Sequence, residues 1–468
     1  MSEKKHFNKV MGSLDILVVA FGAMIGWGWV VASGSWIETA GTIGTVIGFI
    51  IGGIMIYFVG MTYAELTPAM PKAGGEHVFS SRAFGPTGAF ICTWALILSY
   101  IGVVCFEAVS LPAIIQFIVP SFAKGYLYTI AGSDVYLSGI LAAAVFTIMI
   151  TYLNIRGIKA ASVFQTVLTV IIAAVGMTLV IASACNGSFE NLNAHLFAGG
   201  DASSLTSCLS VAVVAPFFLF GFDVIPQVAE EINIPLKKVA KILLLSIVCA
   251  VLFYSLVVLS VGYALSPEEI RASMSTTGIV AADAMAKVFH SSFMAKVLIL
   301  GGLCGVITSW NSFLIGGSRA IYSLAASNMI PRRFARLEPI YRTPKKALLL
   351  IALLSFIAPF FGRTMLVWIS NAASFACCVA YLMVSLSFLV LRKKEPDLYR
   401  PYKVKHYRFV GIAASVLSGF MVLMYLIPGS GSSMTAEEYI IVGAWTLLGI
   451  IFYCICRNRY KEQFGSMR

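Results

Sequence analysis

Charge is scarce in this chain. Asp, Glu, Lys and Arg make up 12% of its 468 residues against 59% hydrophobic, and no polar stretch is long enough to divide the two or three cores a soluble protein of this length would need. A soluble fold is excluded on that ground, and the bilayer takes the place of the core. Histidine is scarcer still, with five residues. His6, His77, His195, His290 and His406 all fall in expected loops, which excludes a histidine relay inside the membrane. The ten cysteines lie mostly within apolar stretches, and none has a metal-ligand spacing with a histidine. Small apolar packing is their expected role, although Cys185 and Cys208 flank a loop where a disulfide could form and Cys454 and Cys456 could carry lipid. No paired-Asp, His-Glu-x-x-His or Gly-x-Ser-x-Gly motif occurs, which argues against an intramembrane enzyme. Neither cofactor nor metal is expected.

What the chain does have is apolar segments of about 18 to 25 residues, the length that crosses ~30 Å of hydrocarbon. Twelve are read, numbered here as segments 1 to 12: 14–38, 43–69, 86–118, 136–154, 159–184, 205–229, 239–264, 293–327, 346–361, 364–391, 407–428 and 437–457. The ninth is short. Segment 1 follows Lys4, Lys5 and Lys9, as a signal peptide would, but it is long, internally broken and followed by eleven more, so it is read as retained. With both termini in the cytoplasm, 28 of the 33 Lys and Arg residues fall inside, leaving Lys124, Arg271, Lys287, Lys296 and Arg363 outside. The net charge of +12 is thus spread over many short loops and sets orientation; it is not gathered into a nucleic-acid-binding domain. The densest run, Arg392 to Arg408, is expected to lie against the anionic cytoplasmic leaflet, with a protein-binding role as the alternative.

Two segments are interrupted at their midpoints, segment 1 at Gly22-Ala23-Met24-Ile25-Gly26-Trp27-Gly28 and segment 6 at Phe217-Phe218-Leu219-Phe220-Gly221-Phe222-Asp223-Val224-Ile225-Pro226. Such a break strands backbone N–H and C=O groups, which hydrocarbon tolerates only where they line a cavity or meet a ligand. Corresponding breaks in the two halves of a hydrophobic chain point to a substrate site at the midplane of a secondary transporter. Segments 1–5 and 6–10 each open with a broken helix, and an odd number of spans per repeat forces opposite orientations. The expected architecture is all-α, twelve transmembrane helices, with an inverted 5+5 repeat and segments 11 and 12 appended. It divides into a cytoplasmic tail (1–13), the transport core (14–392), a basic cytoplasmic loop with the last two helices (393–457) and a C-terminal tail (458–468). Gly44, Gly48 and Gly52 in segment 2, and Gly301 and Gly305 in segment 8, present flat faces for packing inside the bundle.

At the first break, the amides of Gly26, Trp27 and Gly28 begin a half-helix whose positive end suits a carboxylate, while carbonyls near Met24 suit an ammonium. Together they describe a backbone site for an α-amino acid; the bland alternative is a glycine-rich kink. In the second break Asp223 is placed to cap the inner half-helix, to serve as a titratable group, or both. One or more of Phe217, Phe218, Phe220 and Phe222 would cover a substrate. Glu107 shares a stripe with Tyr100, Val103 and Ser110, so it faces the bundle either as a structural glutamate bonded to Tyr or Ser or as a coupling or specificity residue. Glu65 reads as a gate or loop anchor. Glu230 and Glu231 end segment 6 where the dipole disfavours anions, and a salt bridge to Arg82 or Lys237 would relieve them.

The chain resembles the amino acid–polyamine–organocation superfamily. The resemblance is carried by Ile25-Gly26-Trp27-Gly28, by Ala64-Glu65-Leu66 with Pro71-Lys72-Ala73-Gly74-Gly75, and by Gly221-Phe222-Asp223 with Ala229-Glu230-Glu231 and Pro235. Ser318-Arg319-Ala320-Ile321-Tyr322 with Pro331, Phe334 and Thr343-Pro344 completes it. It implies a LeuT-type fold with alternating access, substrate carboxylate on amides near Trp27 and Gly28, and substrate amine on carbonyls near Met24 and Phe217. It also implies a side-chain pocket of Leu98, Ser99, Val103, Phe217, Trp310 and Phe313, with Phe220 and Gly221 at the segment 6 break and Asp223 where some relatives carry an acidic gate residue. Trp27 departs from the small residue usual between the two glycines, and Glu107 lies outside the general pattern. The lysine that proton-coupled relatives often carry in the middle of segment 5 is replaced by Thr169-Val170-Ile171-Ile172-Ala173, so coupling through it is excluded. The reading is an amino-acid permease of the plasma membrane, working by proton symport or exchange, with lipid and a coupling proton as its other partners. The alternatives are a polyamine or organic-amine carrier of the same fold, or an amino-acid sensor that does not transport.

Overall fold

The computed structural model describes residues 7–198, 201–428, 430 and 432–465; His6 lies outside them. Nine helices among the described residues are long and apolar enough to cross a membrane: Thr42–Ala69, Gly75–Ile118, Leu137–Ile155, Ile158–Asn186, Leu236–Ala264, Ser292–Ala326, Leu366–Lys394, Tyr407–Leu426 and Ala436–Tyr460. The other three segments are helical but interrupted or short. Segment 1 divides into Ser13–Met24, Gly28–Val31 and Ser33–Ala40, segment 6 into Asp201–Phe218 and Val224–Gln227, and segment 9 into Lys345–Ile357 and the turn Ala358–Phe361. Burial separates centre from periphery: 72% of the apolar window of Gly75–Ile118 is buried, against 11% for Ala436–Tyr460, whose Ile440 and Leu447 face outward as lipid-exposed positions do.

Small residues bring the broken segments together. The faces of Gly44, Gly48 and Gly52 meet Cys208, Val211 and Ala215 of segment 6, where a methyl on Gly48 or Gly52 would come within 2.7 Å of Val211 or Ala215. Gly221, at φ +134° where L side chains are strained, lies against Ala23 and the Met24 amide, so the two breaks touch. Gly305 sits 2.7–2.8 Å, measured from where a Cβ would stand, from the carbonyls of Gly26 and Ile25, which lets segment 8 approach the first break closely. Both Cys185 and Cys208 are free thiols.

Two connections hold more structure than the sequence reading gave them. Segment 3 starts early, because residues from Gly75 are already helical and the chain turns at Gly85 (φ 75°, ψ −167°) just before Pro86, whose missing N–H ends the preceding ladder. His77 is therefore not in a loop. It is fully buried, with Nδ1 3.1 Å from Thr93 Oγ1 and Nε2 2.7 Å from Ser327 Oγ. Between segments 7 and 8 stand two helices, Pro267–Thr276 and Val280–Phe289; the first opens on a capping box in which Ser266 and Glu269 satisfy each other's amides, with Pro267 in its first turn. Burial opposes the charge on Glu269, but the Lys287 ammonium and the Ser266 amide outweigh it and hold the carboxyl below its usual range. A hairpin, Tyr126–Ile130 paired antiparallel with Ser133–Tyr136, occupies the connection after segment 3.

At the face bearing the N terminus, buried charges tie the bundle shut. Arg319 donates from Nε to Glu231 Oε1 at 2.8 Å and from Nη2 to Oε2 at 3.1 Å, with both side chains fully buried. The Glu231 carbonyl accepts the amides of Val10 and Met11, which straps the N-terminal segment across this face. Arg82 instead pairs with Glu395, so the expected partner of Glu230 and Glu231 is corrected. Arg392 and Arg400 also turn inward, to Glu65 at 2.6 and 3.0 Å, and Glu65 Oε2 accepts the Val404 amide at 2.7 Å. Two of the basic residues expected at the lipid surface thus anchor the chain between segments 10 and 11 to the end of segment 2.

Candidate functional site

Segment 1 stops being a regular helix at Met24. The Ile25 amide still reaches the Phe21 carbonyl at 3.1 Å, but the amides of Gly26, Trp27 and Gly28 make no hydrogen bond among the described residues. The chain resumes as a helix at Gly28, and Gly26, Trp27 and Gly28, whose amides start that half-helix, line a central cavity of about 240 Å³. Met24, Gly26, Trp27 and Gly28 form one wall, Ser99, Val103, Phe106 and Glu107 of segment 3 another, and Phe217, Phe218 and Phe220 of segment 6 a third. Tyr254, Ser309, Phe313, Ser370, Ala373 and Ser374 complete the lining.

Local packing explains the shape. Gly302 lies directly under the Trp27 indole, leaving the ring room to lie back against segment 8. The Gly28 hydrogen faces the Phe218 ring, where a Cβ would stand 2.5 Å from Cε1. A Cβ on Gly26 would stand 3.2 Å from Glu107 Oε1 and 3.8 Å from Ser309 Oγ, so the carboxylate rests beside the break itself. The Met24 carbonyl is not bare: it accepts the Tyr254 hydroxyl at 2.9 Å, which leaves one lone pair for a ligand.

Met24, Gly26, Trp27, Gly28, Ser99, Val103, Glu107, Phe217, Phe220 and Phe313 converge on this cavity. Leu98 and Trp310 do not. Ser99, Val103 and Phe106 share one helical face at i, i+4, i+7, as Ser309 and Phe313 do at i, i+4, so Leu98 and Trp310 point about 100° away. Leu98 lines a separate crevice with Trp94 and Trp445, and Trp310 is buried outside the cavity. Gly221 packs on segment 1 instead of facing a ligand.

Asp223 is the main correction. It makes no side-chain cap on Val224–Gln227. Its Oδ1 accepts the Gly221 amide and the Tyr381 hydroxyl, both at 2.9 Å, and its Oδ2 accepts the Tyr100 hydroxyl at 2.6 Å. The reach back to Gly221 is favoured because the backbone there turns at positive φ and strands that amide. Asp223 is completely buried and lies off the cavity.

Phe106 and Ser309 were within reach of sequence reasoning, since helical spacing from Ser99 and Phe313 reaches them; Tyr254, Ser370 and Ser374 carry no local signal. Gln165 in segment 5 also escaped notice. Its amide donates to the carbonyls of Val18 and Thr308 at 3.3 and 3.2 Å and to Ser312 Oγ at 2.9 Å, while its oxygen accepts from Asn311 at 2.8 Å, stitching segments 1, 5 and 8 together beside the break.

A polytopic helical bundle whose first membrane segment breaks open onto a central cavity is the framework of a membrane permease, not of an enzyme. The chain belongs to the amino acid permease family, whose model matches residues 11–452. It is 24% identical to the branched-chain amino acid permease BcaP of Bacillus subtilis (strain 168), over 98% of this chain and 96% of that protein. It is 25% identical to the gamma-aminobutyric acid permease of the same organism (96% and 94%) and 24% identical to the histidine permease HisP of Lactococcus lactis subsp. cremoris (strain MG1363) (90% and 88%). These relatives are permeases of the amino acid–polyamine–organocation superfamily, and this chain is an amino-acid permease by family.

Proposed function

We propose that this protein is a secondary active transporter that moves an amino acid across the plasma membrane by alternating access, with proton symport or exchange as its mode. In this reading all twelve segments span, arranged as a LeuT-type inverted repeat with both termini in the cytoplasm. The observation that carries it is the first break: three unbonded amides at the start of a half-helix, opening onto a closed-in cavity, form a receptor for a carboxylate. The substrate amine finds the remaining lone pair of the Met24 carbonyl. The aromatic walls from segments 3, 6 and 8 enclose its side chain, and the Arg319–Glu231 pair with the strap at Val10 and Met11 forms the closed cytoplasmic gate.

The relatives' names span branched-chain, histidine and gamma-aminobutyric substrates, which fits a common backbone receptor combined with a variable side-chain pocket. Uptake of labelled amino acids into proteoliposomes, with and without a pH gradient and with substrate preloaded inside, tests the reading. Accumulation above the external concentration under a pH gradient, or uptake that depends on preloaded substrate, is the expected result. Saturable binding with no uptake in either format would make the protein a sensor.

A further inference from the structure

Glu107 is the one charged side chain lining the central cavity among the described residues. It is 3% exposed, and its Oε2 has no hydrogen-bond partner among the described residues. The neighbours that a structural glutamate would use are committed elsewhere, the Tyr100 hydroxyl to Asp223 and the Tyr254 hydroxyl to the Met24 carbonyl. Ser309, on the Oε1 side, offers a single donor. A carboxyl group taken out of water with neither a counter-charge nor a full set of donors either holds a proton or is met by a positive charge that arrives with something else.

Charge counting says what that is, granted that the cavity is the substrate site. The amides of Gly26, Trp27 and Gly28 carry only partial positive charge, so beside a zwitterionic neutral amino acid the ionised form of Glu107 would leave the cavity one negative charge in excess. A substrate with an additional cation balances it. The rings of Trp27, Phe106, Phe217 and Phe313 line the same cavity as Glu107, and aromatic faces stabilise an ammonium or guanidinium without competing for its hydrogen bonds. We propose that Glu107 receives the cationic side-chain group of the substrate, so that the cavity selects basic amino acids over neutral ones of the same length.

L-Lysine and L-norleucine differ at the chain end by an ammonium in place of a methyl hydrogen, and cadaverine is lysine without its carboxylate. Binding of the three to the purified full-length protein in nanodiscs should favour lysine over norleucine by about tenfold or more. Glu107→Gln should abolish that preference while still binding norleucine, which also shows that the variant is folded. Equal affinity for lysine and norleucine in the unmodified protein, or a lysine preference that survives Glu107→Gln, would overturn the assignment; in the first case a parallel loss of both ligands in Glu107→Gln would move the carboxylate to the α-amine. Cadaverine binding as well as lysine would uphold the role of Glu107 and instead defeat the amino-acid reading of the segment 1 amides. A lysine preference without uptake into proteoliposomes would defeat the transport reading alone.

Discussion

The two broken segments each have a carboxylate beside them, and the two are treated in opposite ways. Asp223 in segment 6 is surrounded by donors, with one backbone amide and two tyrosine hydroxyls from segments 3 and 10 all directed at it. Glu107, packed against the break in segment 1, keeps an oxygen without a partner and faces a cavity. Both are buried acids beside a helix break, so burial and residue type do not distinguish them. Donor supply does. The break in segment 6 has its stranded amide at Gly221 satisfied internally and is closed, whereas the break in segment 1 leaves the amides of Gly26, Trp27 and Gly28 and one Glu107 oxygen without a partner among the described residues. A satisfied acid fastens structure; the unsatisfied one is the group to which the proposal assigns the substrate's cation.

The most severe test of this contrast removes the satisfied acid. Asp223→Ala strands the Gly221 amide and two tyrosine hydroxyls in a region without water, at ~1–3 kcal/mol for each. Loss of roughly 3 kcal/mol or more is expected, read as a large fall in the thermal midpoint in detergent or as loss of monodisperse protein. An Asp223→Ala protein as stable as the parent would show that the three hydrogen bonds are incidental and would return Asp223 to the list of free titratable groups.

Next in size is bulk at the open break. Gly28→Val drives a side chain into the Phe218 ring, and the ring's way out is toward the cavity. A stability cost of about 1–3 kcal/mol is expected from overpacking, with substrate binding abolished, since the amides and the displaced ring then compete for the same space. Gly302→Ala acts more gently from behind, because its methyl meets the Trp27 indole and tips it forward. The expected outcome is a several-fold loss of affinity for the longest substrates, with little change for glycine or alanine in a competition assay. If instead every substrate weakens equally, Trp27 does not set the depth of the pocket.

The positions of the breaks, the glycine faces and most of the cavity lining were legible in the sequence, because Gly and Pro mark interruptions and helical spacing assigns faces. Ser99, Val103 and Phe313 are instead what the resemblance to the superfamily implies, and Phe217 is both that and one of the aromatic residues at the segment 6 break. What was not legible depends on contacts between distant segments. Nothing local to Asp223 shows that tyrosines 123 residues before it and 158 residues after it reach its carboxylate, and a capping role is the natural inference from the helix start alone. Arg319 likewise reads as a loop cation until its pairing with Glu231, 88 residues away, is seen. The capping box at Ser266 and Glu269, by contrast, is a local signal that the sequence carries in full, a Ser followed three residues later by Glu with Pro267 between them.

The smallest expected effect is the one that sharpens the contrast most. Glu107→Gln replaces a buried carboxyl group, one oxygen of which has no partner among the described residues, by a neutral amide of nearly the same shape, and any cost of ionising the group there disappears with it. Because no donor is left stranded by the change, the thermal midpoint of the substrate-free protein should stay within about 1 kcal/mol of the parent or rise slightly, in contrast to the collapse expected of Asp223→Ala. The amide introduces two donors of its own, and the Ser309 oxygen, beside the same break, can accept one of them. A midpoint that falls as far as that of Asp223→Ala would mean that Glu107 is held by donors after all, and the distinction between the two carboxylates would fail.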